Sequence, residues 1–132
     1  MKRLTGPLNV KLITEKFFPS YVGAEAIINE GQCMFWSYIA YRLYSNVELW
    51  SNKDHAFVKY NGKFYDSETP KGVDRWQELP CNSRGLAYGQ IEKSHMQRLD
   101  RFKSYWLRHG RYGTMVWDRF DEHVQDYLKG LK

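Results

Sequence analysis

Three residue types that together make a nucleophile, a base and its orienter fall within one short stretch: Cys33, His55 and Asp66. Cys33 follows Gly31-Gln32 and opens an apolar run, Cys33 to Tyr44, with no Gly or Pro. That run exceeds ordinary strand length and is apolar on nearly every face, which predicts a buried helix. A cysteine at a helix N-terminus faces unpaired amides and positive dipole potential, and both favour thiolate over thiol. Such cysteines titrate as low as ~3.5–7.5 instead of ~8.5. Sequence therefore predicts a thiol with a lowered pKa and early alkylation. A small apolar residue in a buried helix is the bland explanation of the same cysteine.

After the helix the apolar period changes from 3.6 to 2. Val47–Trp50, His55–Tyr60 and Lys63–Glu68 read as strands, with a polar turn over residues 51–54. Asn61-Gly62 is a strong hairpin signal, because a type I′ turn needs positive φ at both central positions. A two-residue loop there makes opposed residues sum to 123: Val58 faces Tyr65, Phe57 faces Asp66 and His55 faces Glu68. His55 and Asp66 are then diagonal neighbours on one face, with Cα atoms some ~7–8 Å apart. A carboxylate aimed at an imidazole fixes its tautomer and supports the imidazolium, which a cysteine nucleophile asks of its base. Glu68, directly opposite His55, is the competing orienter.

Gly31-Gln32-Cys33 followed by aromatics resembles the Gly-Gln-Cys-Trp nucleophile motif of the transglutaminase family. His55-Ala56-Phe57-Val58-Lys59-Tyr60-Asn61-Gly62-Lys63-Phe64-Tyr65-Asp66-Ser67 resembles that superfamily's His strand and Asp strand. The resemblance spans roughly residues 25–70. It implies a papain-like fold, and a Cys33–His55–Asp66 triad performing acyl transfer or amide hydrolysis on a protein or peptide substrate. Met34 stands where the family has Trp, and Trp36 comes two places later. Residues 1–32 hold no upstream Trp of the kind the large animal enzymes use at the oxyanion. The backbone N–H of Cys33 is one oxyanion donor; the side chain of Gln32 or of Asn29 could be the second. The Cys-to-His interval is closer to small microbial members, many of them peptidases, which tilts the expectation toward hydrolysis.

The surrounding chain fits an α+β domain. At 132 residues it reads as one domain, 1–132, with a core over about 8–92 and a helical C-terminal extension over 93–132. Leu8–Leu12 alternates like a half-buried strand, and Ala24–Asn29 is a short helical candidate. A helical turn is expected near Arg75–Leu79, and helices over Lys93–Arg108 and Thr114–Lys129. Trp36, Trp50, Trp76 and Tyr88 are candidates to line a cleft. In the last helix Trp117, Phe120, Val124, Tyr127 and Leu131 form the packing side.

Net charge is +5. Residues 33–92 balance seven bases against seven acids, whereas residues 93–132 carry nine bases and five acids. Met96, Leu99, Phe102 and Trp106 make one stripe of the expected helix; Arg98, Arg101, Tyr105, Arg108 and Tyr112 make another. Such an Arg/Tyr stripe could hold phosphates and stack bases, but a solvated outer face is the commoner explanation, so nucleic-acid binding is expected to be weak. The alternative function is thus a basic binding module, for nucleic acid or a protein, that keeps the triad vestigially. No Cys-x-x-Cys or His-x-x-x-His pair and no acidic calcium loop occurs, so neither metal nor cofactor is expected. Cys81, His95, His109 and His123 read as bystanders. Two cysteines, no apolar run of ~18 residues and no signal-peptide pattern predict a cytoplasmic protein without a membrane partner.

Overall fold

A computed structural model describes residues 2–52, 55–80, 96–110 and 112–131. Asn9 starts helix α1, Val10–Phe17: its side-chain oxygen accepts the Leu12 N–H at 3.0 Å. Val10, Ile13, Thr14 and Phe17 form the buried stripe. The strand expected over Leu8–Leu12 is therefore a helix start, because a side-chain cap and a stripe extending to Phe17 outweigh three alternating residues. A single 3-10 turn, Pro19–Tyr21, leads to the short helix α2, Glu25–Ile28. Helix α3, Cys33–Leu43, is buried along almost its whole length.

Four strands follow, β1 Glu48–Ser51, β2 Ala56–Tyr60, β3 Lys63–Tyr65 and β4 Gln97–Arg98, in sheet order β3-β2-β1-β4 with every pair antiparallel. Asn61 and Gly62 adopt φ of 50° and 81°, the two positive values that a type I′ turn requires. The register is the expected one, with Tyr60↔Lys63, Lys59↔Phe64 and Val58↔Tyr65. Strand β3 stops at Tyr65 instead of continuing to Glu68, because Asp66 begins a turn closed by its own side chain: Glu68 N–H donates to Asp66 Oδ1 at 2.8 Å. A 3-10 turn forms over Trp76–Glu78, within the expected Arg75–Leu79.

The helix expected over Lys93–Arg108 is shorter. Gln97 and Arg98 pair with Ser51 and Trp50 as β4, and helix α4 covers Phe102–His109. Edge pairing with β1 is a long-range contact that overrides local helical spacing. Helix α5, Thr114–Gly130, closes the described chain. Leu128, not Leu131, completes its packing side; Leu131 is exposed.

Helix α3 is the centre of the molecule. Ala56, Val58 and Tyr60 of β2 share the main core cluster with it, together with residues of α4 and α5. Phe35 of α3 meets Trp117 and Phe120 of α5 at ring separations of 4.7 and 4.9 Å, and Tyr38 meets Trp117 edge-on at 5.1 Å. Tyr38 Oη donates to Asp121 at 2.8 Å, and Arg42 and Lys103 pair with the same carboxylate. The C-terminal helices are thus built into the core and are not an extension beside it. On the opposite face of the sheet, Phe57, Phe64, Leu79 and Met96 form a smaller cluster with Trp50, Val73 and Trp76. No helix among the described residues is long and apolar enough to cross a membrane.

Candidate functional site

A tight elbow joins α2 to α3. The N–H of Gln32 donates to Ile28 O at 2.8 Å, and Gln32 O in turn accepts from the N–H groups of Phe35 and Trp36, at 3.1 and 3.0 Å. This places Gln32 at the N-cap of α3 and Cys33 in its first turn. Cys33 is only 4 % exposed. Burial pushes its thiol up to about 11; backbone amides of Ala56, Met34 and Cys33 itself pull the other way, and the charge of Asp66 pushes it further up. The lowered pKa expected from a helix end is therefore overturned. Removing a thiolate from water costs more than the two helix-start amides and the Ala56 amide of β2 together return.

The same contacts locate the site. Cys33 lies against the peptide N–H of Ala56, the first residue of β2, whose preceding residue is His55. His55 is fully buried. Its backbone is pinned by the β1–β2 turn: its N–H donates to Asn52 Oδ1 at 2.9 Å, and its carbonyl accepts from Asn52 N–H and Ser51 Oγ, both at 3.1 Å. The imidazole stands 6.0 Å from the Phe57 ring. Phe57 belongs to the smaller cluster, whereas Cys33 and Ala56 belong to the larger one. Cys33 thus reaches the start of β2 from the larger cluster, while the His55 ring neighbours Phe57 of the smaller one.

Asp66 follows the last residue of β3 and is 1 % exposed. Its carboxylate accepts from Asn29 Nδ2 at 3.3 Å, Thr69 Oγ1 at 3.2 Å and the Glu68 N–H. Asn29 Nδ2 also donates to Glu68 Oε2 at 2.7 Å, so both N–H groups of that amide are committed to carboxylates. Asn29 is thereby a clamp on the acidic residues and a poor oxyanion donor. Glu68 sits in the turn after β3, outside the ladder that would set it opposite His55. It lines a cleft of about 650 Å³ with Lys11, Glu15, Val22, Glu25 and Pro70 among its walls. Gln32 differs from Asn29: its Nε2 donates to Tyr112 Oη at 3.1 Å.

The remaining expected residues divide. Trp36 is buried and aims its Nε1 at Thr14 Oγ1, so it belongs to the core. Trp50 and Trp76 stay half-buried and stack on Phe57 at 6.4 and 6.3 Å. Arg98, Arg101 and Arg108 are all exposed but do not share a helix face: Arg98 is in β4, Arg101 caps α4 and only Arg108 lies within it. Tyr112 lies in the linker after α4, also off that face. His109 and His123 are exposed. Cys81, Tyr88 and His95 lie outside the described residues. Sequence reasoning passed over Thr69, and set Tyr112 on an Arg/Tyr stripe instead of beside Gln32. Thr69, three residues after Asp66, carried a local signal in that spacing; Tyr112, eighty residues from Gln32, carried none.

Among the described residues, no group of three or more His, Cys, Asp or Glu side chains could hold a metal ion. The described chain is an α+β protein in which five helices pack with one small antiparallel sheet of four strands. Comparison with protein-family profiles, curated proteins and solved structures gave no match.

Proposed function

We propose that the chain is a cysteine-dependent acyl-transfer enzyme of papain-like, transglutaminase-like type acting on amides. One observation carries this reading: the Cys33 thiol rests on the first amide of β2, next to His55, within reach of the Asp66 charge. A thiol near 11 is protonated at neutral pH, so the mechanism runs through a neutral thiol and a base. His55 takes the thiol proton as sulfur attacks the amide carbonyl, and Asp66 supports the imidazolium. The tetrahedral adduct collapses as the imidazolium returns that proton to the leaving nitrogen. Water, activated by the same imidazole, then cleaves the thioester and releases the acid. The compact core and the missing upstream Trp favour this hydrolytic outcome (protease, amidase or deamidase) over crosslinking.

The burial of Cys33 favours a second reading, a binding module with an inert triad and the exposed cations Arg98, Arg101 and Arg108. Incubating the full chain with a mixed peptide library and following new termini and released ammonia separates the two. The enzyme reading expects products that vanish in Cys33→Ala and fall at least ~100-fold in His55→Ala. The same products in the Cys33→Ala chain would overturn it. Product-free incubations, combined with salt-sensitive binding to an oligonucleotide, would establish the module instead.

A further inference from the structure

The linker between α4 and α5 brings Tyr112 back to the start of α3. There its hydroxyl accepts from Gln32 Nε2 at 3.1 Å. The Tyr112 ring packs edge-on against Phe35 at 5.1 Å, and Phe35 is itself fully buried between Trp117 and Phe120. The hydroxyl therefore sits on a rigid aromatic stack spanning two helices. Of the two carboxamides beside the nucleophile, Asn29 spends both N–H groups on Asp66 and Glu68. Gln32 spends one on Tyr112 and keeps the other, directly beside Cys33 in sequence and at the cap of the same helix.

We infer that Tyr112 is a positioning residue: it holds the Gln32 carboxamide so that its second N–H stabilises the oxyanion formed when Cys33 attacks a carbonyl. The inference rests on the acyl-transfer reading above. A free glutamine side chain samples many rotamers, whereas an oxyanion donor acts only when preorganised, and losing one typically slows a reaction by about 10²–10³. Loosening the donor should cost less than deleting it, of the order of tenfold.

Two acylating and alkylating probes separate this role from a structural one. Acetylation of Cys33 by p-nitrophenyl acetate passes through an oxyanion, whereas alkylation by iodoacetamide is a direct displacement at carbon with none. Tyr112→Phe keeps the ring and removes only the hydroxyl. It should slow acetylation about tenfold and leave the alkylation rate and melting temperature unchanged. Gln32→Ala should slow acetylation by about 10², and adding Tyr112→Phe to it should have no further effect. Unchanged acetylation in Tyr112→Phe, or equal slowing of both probes, would overturn the positioning role while leaving the triad standing. Failure of the unsubstituted chain to acetylate Cys33 at all would instead remove the acyl-transfer reading, and this inference with it.

Discussion

Alkylation of Cys33 should be slow at neutral pH and should climb with pH well beyond the range of an ordinary cysteine. The perturbation is pH itself, applied to a Cys81→Ser chain so that one thiol reports. An ordinary thiol, pKa ~8.5, is about one-quarter ionised at pH 8. A thiol pushed up to about 11 is ionised to about one part in a thousand there, a deficit of about 250-fold. The more basic thiolate is the better nucleophile, and a Brønsted slope of ~0.4–0.5 returns about tenfold over this interval. Iodoacetamide should thus react roughly twenty to thirty times more slowly than with a free cysteine at pH 8. At 4 % exposure access is also restricted, so that factor is a lower bound. The rate, read by mass spectrometry of the Cys33 peptide, should rise about tenfold per pH unit and level only near pH 11. A plateau already reached by pH 8, at a rate matching free cysteine, would refute the claim that burial outweighs the helix-end amides.

The same raised pKa makes stability fall in alkali. The native state retains a proton that the unfolded state releases above ~8.5, so the thiol's contribution of about 3 kcal/mol is intact below that pH and is lost as pH rises toward 11. Tyr38 and Tyr44, also raised chiefly by burial, act in the same direction. Urea midpoints followed from pH 8 to 11 should decline, and less steeply in Cys33→Ala; parallel slopes would contradict the assignment to Cys33. Trp117→Ala removes a side chain 1 % exposed and should cost about 3–5 kcal/mol, lowering the melting temperature by roughly 10–20 °C. A near-native melting curve would mean that α5 is detachable. Gly62→Ala, at φ 81° with nothing near its added methyl, should cost about 1 kcal/mol through backbone strain alone; an unchanged urea midpoint would show that the turn relaxes.

What the sequence made legible was local. Asn61-Gly62 set both turn and register, because positive φ at two adjacent positions admits few other geometries. The apolar run from Cys33 announced a buried helix, since no exposed element tolerates Met34, Phe35, Trp36, Ile39 and Leu43 together. Misreadings arose where a distant contact decided the outcome. Gln97 and Arg98 form β4 because Ser51 and Trp50 offer an open edge. Trp36 is core because α1 brings Thr14 to its indole. The Cys33 thiol follows the same rule. The helix N-terminus was visible in sequence, while the packing that desolvates it comes from β2 and the surrounding core.

The most direct measurement of the central claim is a single-turnover acetylation of Cys33 by p-nitrophenyl acetate, in the Cys81→Ser chain and in its His55→Ala derivative, with the modified residue located by mass spectrometry. If Cys33 attacks a carbonyl while His55 takes its proton, the acetyl group appears on Cys33 as a thioester, and the rate falls at least ~100-fold without the imidazole. An unmodified Cys33, or equal rates in the two chains, would contradict the proposed catalytic pair.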